Sequence, residues 1–338
     1  MFQNVLNGGF TRKIIQSTIV SKKEDKMTLK SSRPMSSIKG YSTWILRILM
    51  TVFVATLFGS NIVAGEVQQS GTQAVSSVRW YPTDEILINV YHETLPQAEV
   101  LKNAYQLSLQ GSTASEAIAD IQKAIKMCED YIKANPNDKQ GTAQAYAIMA
   151  YGYFNIGEFQ TNDDEKLKSY ESGKDAAQKV IDLAPNMWDG WAWYANNLGR
   201  ISQLKGVVKS LFLLDPFKKH IFQAEKLSPN QPFILDAIGD MYRQLPWIAG
   251  GSMSKSKEYL ERSVKSDPNY TLAKLDLGIT LLEDGKKEQA KELFTEVINA
   301  KNPSWRAHWL IWEKPKAEAL LNNMDNYKKL LDQWHMLI

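Results

Sequence analysis

The sequence predicts an all-α protein, a superhelical solenoid of stacked helical hairpins. Three observations predict it. Beyond about residue 80, apolar residues recur at spacings of three and four, and β-branched runs of period two are absent. Pro136, Pro185, Pro229 and Pro268 each close an amphipathic run and each precede an asparagine, and Pro303, followed by serine, is a fifth. Proline cannot continue a helix, and asparagine accepts turn geometry. The side chains at fixed offsets from these prolines also repeat.

The prolines act as a ruler. Six, nine, ten and thirteen residues after Pro185 stand Trp191, Tyr194, Ala195 and Leu198. After Pro229 the same offsets give Leu235, Ile238, Gly239 and Tyr242, and after Pro268 they give Lys274, Leu277, Gly278 and Leu281. Upstream of the prolines, small or apolar residues recur at twelve, eight and five: Ala124, Cys128, Tyr131; Gly173, Ala177, Val180; and Ser256, Leu260, Ser263. This is the tetratricopeptide pattern. A small residue on the first helix (helix A) lets the second (helix B) approach, large apolar residues fill the seam, and proline ends the pair. Each hairpin leaves one face bare for the next to cover. The cleanest unit is residues 270–303, with Leu277, Gly278, Gly285, Ala290 and Phe294 in place.

The remaining spacings between prolines are 49, 44 and 39 residues, against 35 for the last. The excess falls between helix A and helix B of each unit. It includes a polar loop at residues 161–165, ten extra residues between Leu198 and Phe217, and five within residues 245–256. All lie at A-to-B turns, so they would build up one edge of the solenoid. The stretch 245–256, LPWIAGGSMSKS, superficially suggests a phosphate loop. It has no Gly-Lys pair, and a helix rather than a strand precedes it. It reads as a turn: Pro246 ends helix A, Gly250 and Gly251 allow positive φ, and Ser252 or Ser254 caps helix B.

The first 65 residues are different. They hold nine Lys/Arg and two Asp/Glu, leaving 31 and 35 for the rest, so the solenoid is mildly acidic. That argues against nucleic acid, which requires a basic face. Residues 48–65 are uncharged, with Lys39 and Arg47 upstream and the small residues Val63, Ala64 and Gly65 at the end. The apolar core, residues 48–58, has the length of a signal-peptide core and is short for a membrane span. Residues 1–65 are therefore expected to be an export signal, cleaved near Glu66, or an anchor spanning residues 44–65 if retained. Translation starts at Met1, Met27 or Met35. Residues 66–82 are a linker and residues 83–338 the solenoid. The expected location is exported and periplasmic, with contact to a membrane only through an uncleaved N-terminal segment. A single cysteine, Cys128, excludes a disulfide within the chain and a Cys-rich zinc site.

No catalytic, cofactor or metal motif emerges. His92, His220, His308 and His335 are scattered and read as surface or packing residues, and Asp163, Asp164 and Glu165 lack calcium-loop spacing. The chain is expected to be a non-enzyme without cofactor. Trp191 holds a core position, whereas Trp188, Trp193 and Trp247 are candidates to line a cleft. Trp305, Trp309 and Trp312 share one helical face and are expected to seal the open end of the stack. In tetratricopeptide arrays the concave surface comes from helix A. Carried over by the ruler, that surface comprises Tyr151, Asn155, Asp189, Asn196, Arg200, Asp236, Asp240 and Arg243, with Trp247 at its rim. The last repeat adds the mostly apolar Leu272, Leu275, Ile279, Leu282 and Glu283. Such a groove suits a protein partner or a small polar ligand.

Two segments, YANNLGRISQLKG and IGDMYRQLPWIAGGSMSKSKEYLERSVKSDPN, resemble the T-component family of TRAP transporters over roughly residues 115–300. That resemblance implies an exported tetratricopeptide-like protein that binds a periplasmic solute-binding protein and carries a cleft of its own. The chain lacks the lipid-anchor cysteine common in that family. The regulator of microtubule dynamics family shares similar repeats, and the apparent export signal argues against it. Two other classes remain open: a membrane-anchored scaffold, and a helical enzyme, which would require a cluster of buried, pKa-shifted groups in one cleft.

Overall fold

A computed structural model describes residues 96, 98–334 and 336 of the 338. All of them fall in the unit spanning Gln73–Ile338. The expected signal or anchor (residues 1–65), the linker, His92 and His335 lie outside the described residues. Among the described residues there is no strand, and no helix is long and apolar enough to cross a membrane.

Among the described residues, ten helices form five antiparallel hairpins: α1 (Glu99–Ser108) with α2 (Ala114–Ala134), α3 (Lys139–Phe159) with α4 (Asp163–Leu183), α5 (Trp188–Lys205) with α6 (Val207–Leu227), α7 (Pro232–Gln244) with α8 (Met253–Ser266), and α9 (Thr271–Glu283) with α10 (Lys287–Ile298). First helices of neighbouring hairpins pack on one another (α1 on α3, α3 on α5, α7 on α9), so these helices form an inner layer. The chain then continues through α11 (Arg306–His308), a π-helical turn (Trp309–Glu313), α12 (Lys314–Asn322) and α13 (Tyr327–Gln333).

The Pro-Asn pairs make four equivalent turns. The carbonyls of Asn135, Ala184, Ser228 and Asp267 accept from the N–H groups of Asp138, Met187, Gln231 and Tyr270, three residues on. Proline therefore sits at the second position of each β-turn, where its fixed φ is already correct and its missing N–H is not needed. The ruler glycines explain the tight seams. A Cβ on Gly278 would lie 2.6 Å from the Phe294 ring, and one on Gly239 2.6 Å from Leu260 Cγ. Phe294 and Leu260 are completely buried against those glycines, each stabilising its hairpin by roughly 1.5–3 kcal/mol. The serines of the weakest repeat are buried too, but satisfied: Ser263 donates to the Pro232 carbonyl, and Ser256 shares a hydrogen bond with Thr280.

Two of the three expected insertions are not loops. The ten extra residues after Leu198 lengthen α5 and α6 to 18 and 21 residues, joined only by Gly206 at φ 78°. Residues 161–165 also become mostly helix. Asn162 caps α4 by accepting from Asp164 and Glu165, and Asp163, Asp164 and Glu165 form its first turn, where acidic charge favours the helix dipole. Only residues 245–252 form a true expanded turn. Leu245 ends α7, Trp247–Ala249 is one 3₁₀ turn, and Ser252 caps α8 by accepting from Lys255. Gly250 has φ 94°, whereas Gly251 is required for a different reason: a Cβ there would sit 1.7 Å from the Leu245 carbonyl oxygen.

Candidate functional site

The C-terminal segment does more than close the end of the stack. The Ser304 N–H donates to the Asn269 carbonyl and its hydroxyl to Asp267, which pins the exit of the last hairpin to the preceding turn. From there the chain lies against the inner helices. The Trp305 ring is buried 5.6 Å from that of Tyr151 on α3, and His308 lies 6.1 Å from Phe159. Trp305, His308 and Trp312 stack in series, with centroids 3.9 and 5.0 Å apart. Trp309 faces elsewhere and donates its indole N–H to the Val297 carbonyl of α10 at 2.7 Å. The three tryptophans therefore do not share one helical face as expected. Trp305 precedes the helix, and the π-turn inserts an extra residue that rotates Trp312 away from Trp309.

The same π-turn brings His308 and Glu313, five residues apart, to a 2.6 Å hydrogen bond. Glu313 also accepts from the Thr271 hydroxyl of α9. Both partners are fully buried, and burial favours their neutral forms, pushing Glu313 up to about 8 and His308 down to about 3. At neutral pH the carboxyl thus donates to Nδ1, and Nε2 has no hydrogen-bond partner.

Two arginine networks flank this plug. Arg200 forks onto Glu158, with Nε to Oε1 at 2.8 Å and Nη2 to Oε2 at 2.9 Å. Tyr170 donates to the same carboxylate at 2.6 Å. Burial raises the Glu158 pKa, but Arg200 and the Tyr170 hydroxyl outweigh it and hold it below the usual carboxylate value. Arg243 is buried, pairs with Asp240 at 2.5 Å and Glu283 at 3.6 Å, and donates to the Met336 carbonyl, tying the last described residue to α7. Lys316 rests on the Trp312 ring at 3.3 Å and the Trp334 ring at 4.9 Å, and desolvation pushes its pKa well below the usual lysine value.

What the plug leaves of the groove is a cavity of about 120 Å³. It lies where α5 and α7 pack less closely on each other than the other inner helices do. Most of its wall is apolar, including Leu213, Phe217, Phe233, Leu272, Trp305 and Trp312. Its polar wall includes Asn196, Arg200, Gln203, Asp236, Asp240, Gln244 and Asp276. Asp236 is 4 % exposed and Asp276 5 % exposed. Oδ1 of each is buried with no hydrogen-bond partner. Burial, then neighbouring carboxylates, raise both pKa values, Asp276 to about 8.

The structure divides the residues predicted for the groove. Asn196, Arg200, Asp236 and Asp240 line the cavity together with Leu272. Tyr151, Asn155 and Asp189 are core residues. Tyr151 is boxed in by Trp193 and Trp305, and Asn155 bonds back to the Tyr151 carbonyl. Arg243 is buried in its ion-pair network, and Leu275, Ile279 and Leu282 are buried beside it in the last repeat. Trp188 and Trp193 are likewise core rather than cleft residues, and Trp191 is half-buried, donating to the Pro185 carbonyl at 2.7 Å. Trp247 is 78 % exposed, and its neighbours Leu245 and Pro246 rim the cavity instead. His220 packs, as expected, stacked on Tyr194 at 4.0 Å.

Sequence reasoning missed Glu158, Asp276, Glu313 and Lys316. Only Asp276 carries a visible signal: it is the lone charge between Leu275 and Leu282 in an otherwise apolar run. The others depend on the plug. The cluster of buried, shifted groups that a helical enzyme would need is therefore present. Ion-pair networks shift pKa values equally, and every carboxylate of the cluster except Asp236 and Asp276 has an arginine, tyrosine or threonine partner. Among the described residues no group of His, Cys, Asp and Glu is arranged to hold a metal ion.

A family model, regulator of microtubule dynamics protein 1-3, matches residues 100–248, less than half of the chain. Regulator of microtubule dynamics protein 2 of Homo sapiens is 32 % identical over 86 residues, 25 % of this chain and 21 % of that protein. The Macaca fascicularis protein of the same name is 31 % identical over 86 residues, with the same coverage. The chain thus spans about a fifth of the length of the curated relatives it matches. Of the two families raised by the sequence, the matching model is the one that the expectation of an export signal had argued against. Among solved structures, a thermophilic TPR protein of Thermus thermophilus aligns over 65 % of this chain and 98 % of its own, with TM-score 0.47 and 15 % identity. Yeast Tom70 aligns over 95 % and 80 %, with TM-score 0.31 and 12 % identity. The helical-hairpin fold itself rests on the five hairpins and their repeated turns.

Proposed function

We propose that this chain is a non-catalytic binding protein of the tetratricopeptide type, and that its inner face holds a small ligand rather than an extended peptide. The observation that carries this reading is the occupied groove. Trp305, His308 and Trp312 lie where a peptide would run, and a partly open, largely apolar cavity of about 120 Å³ remains. Small-molecule sites are concave and mostly apolar, with a few convergent polar groups. Native mass spectrometry of the purified full chain, with a thermal-shift screen of small polar and amphiphilic compounds, tests it. A retained or stabilising compound whose effect is lost in Phe233→Ala supports the reading. Stabilisation by no compound, together with a protein partner captured only when residues 305–338 are deleted, would overturn it.

Protein partners then engage other surfaces. Export, and service to a TRAP-type transporter through a periplasmic solute-binding protein, rest on residues 1–65 and on the quoted segments. Mass spectrometry of the mature N-terminus decides the first: a start near Glu66 supports export, and an intact Met1, Met27 or Met35 with residues 44–65 retained supports the anchored scaffold. A second reading follows from the human and macaque relatives, which are named for regulating microtubule dynamics. Co-sedimentation with polymerised tubulin tests whether this chain shares that role, and no enrichment in the pellet would dismiss direct binding.

A further inference from the structure

We propose that the cavity between α5, α6, α7 and α9 takes a primary ammonium carried on a short apolar stem, with Asp236 and Asp276 as its two acceptors. The proposal rests on the small-ligand reading of this cavity and names the chemistry of the ligand.

Asp236 on α7 and Asp276 on α9 both line the cavity, and both are more than nine-tenths buried. Oδ1 of each lacks a hydrogen-bond partner. Buried polar atoms in folded proteins are nearly always satisfied, so two carboxyls that line one cavity, each with an unpartnered oxygen, point to a donor from outside the chain. The chain's own nearby cations are engaged elsewhere: Arg200 forks onto Glu158, Arg243 is held by Asp240, Glu283 and the Met336 carbonyl, and Lys316 rests on the Trp312 and Trp334 rings. Among the described residues no lysine or arginine forms a salt bridge with Asp236 or Asp276.

The apolar part of the wall sets the stem of the ligand. Leu213, Leu214, Phe217, Phe233 and Leu272 offer no polar side-chain partner, so the stem that packs on them is hydrocarbon. An apolar cavity of about 150 Å³ accommodates benzene. At about 120 Å³ this one suits a stem of roughly four to six carbons. An N–H donor satisfies the orphan oxygens, whereas a quaternary ammonium has none to offer. An anion would meet carboxylates in a desolvated wall.

Electrostatics add a signature. Asp276 faces Asp240, Arg243, Arg200 and Lys316, and Asp236 faces Asp276, Asp240, Glu313 and Arg200. With Asp276 pushed up to about 8, the empty cavity holds a proton at pH 7 that an arriving ammonium expels. Binding is then coupled to proton release, and the heat of binding depends on the buffer that takes up the proton.

The experiment is isothermal titration calorimetry on the full chain at pH 7, in phosphate and in HEPES. It uses n-pentylamine, its neutral isostere 1-pentanol, and Nα-acetyl-lysine N-methylamide. The expected result is that pentylamine binds at least tenfold more tightly than pentanol, with an enthalpy that differs between the buffers. Asp276→Asn and Asp236→Asn, with wild-type circular dichroism, should each weaken pentylamine tenfold or more and weaken pentanol by a smaller factor. The lysine derivative distinguishes the source: tighter binding than pentylamine identifies a lysine side chain of a partner, and weaker binding a free amine. Equal binding of pentanol and pentylamine, or unaltered pentylamine affinity in both variants, overturns the ammonium assignment and leaves the small-ligand cavity standing. If neither pentylamine nor pentanol binds, the cavity reading falls with it.

Discussion

Replacing Asp276 by Asn should make the protein more stable at high pH while leaving it nearly unchanged at pH 5. In the native chain the Asp276 carboxyl is pushed up to about 8 by burial and by Asp240, against relief from Arg243, Arg200 and Lys316. In the unfolded chain it titrates near 3.9. Because the folded value lies above the unfolded one, the native state holds the proton between about pH 4 and pH 8, and stability falls as pH rises through that window. Each unit is worth about 1.4 kcal/mol, so four units set a ceiling near 5.5 kcal/mol. Relaxation and water entry into the cavity reduce such penalties, and half the ceiling, about 2–3 kcal/mol, is the working figure. Asparagine has the same shape and no proton to lose, so the variant escapes this term. Glu313, also pushed up to about 8, remains and leaves the variant a residual slope. Thermal melts followed by circular dichroism at pH 5, 6, 7 and 8 read the difference. At about 2–4 °C per kcal/mol for a domain of this size, the Tm advantage of Asp276→Asn should grow from near zero at pH 5 to roughly 4–10 °C at pH 8. A constant difference across pH, or a wild type that gains on the variant as pH rises, would refute the reasoning.

The other predictions concern the plug and its supports. Trp305→Ala removes a fully buried ring packed on Tyr151 and His308; a loss of about 3–5 kcal/mol is expected in urea unfolding, with protease cleavage gained in residues 305–338. Arg200→Met strands Glu158 and should cost about 3–5 kcal/mol at pH 7. Because the Glu158 pKa is held below its ordinary value, the stability it provides is present above the usual carboxylate range and lost as pH falls through the folded value, so the cost should shrink in melts at pH 4. Trp247→Ala alters an exposed side chain that does not line the cavity and should shift stability by no more than about 0.5 kcal/mol, with the far-UV spectrum unchanged.

Much of the hairpin architecture was legible because its causes are local. Pro136, Pro185, Pro229 and Pro268 each specify a turn from two adjacent residues, and Gly239 and Gly278 mark the seams because Leu260 and Phe294 leave no room for a Cβ. The excess length after Leu198 was legible as a number but not as a structure. The same ten residues can lengthen two helices or form a loop, and packing decided for helices at α5 and α6, as the Asn162 cap did at α4. The cavity was half legible. Helix periodicity placed Asn196, Arg200, Asp236 and Asp240 on the inner face, but it also placed Tyr151, Asn155 and Asp189 there, and those three are covered.

The sequence by itself determined an all-α array of proline-ended hairpins with the turns between repeats and the tight helix contacts, since each depends on residues a few positions apart or within one hairpin. Only the tertiary structure decided what fills the inner face. Trp305 meets Tyr151 across 154 positions, and Asp236 and Asp276 share a wall across 40. Such meetings depend on a curvature that accumulates from one hairpin to the next, and on a π-turn of one extra residue at Trp309–Glu313 that aims His308, Trp312 and Glu313 inward. Periodicity fixes the face a residue occupies. Whether that face meets solvent, a cavity or the chain's own C-terminal segment depends on packing between elements that sequence spacing does not relate.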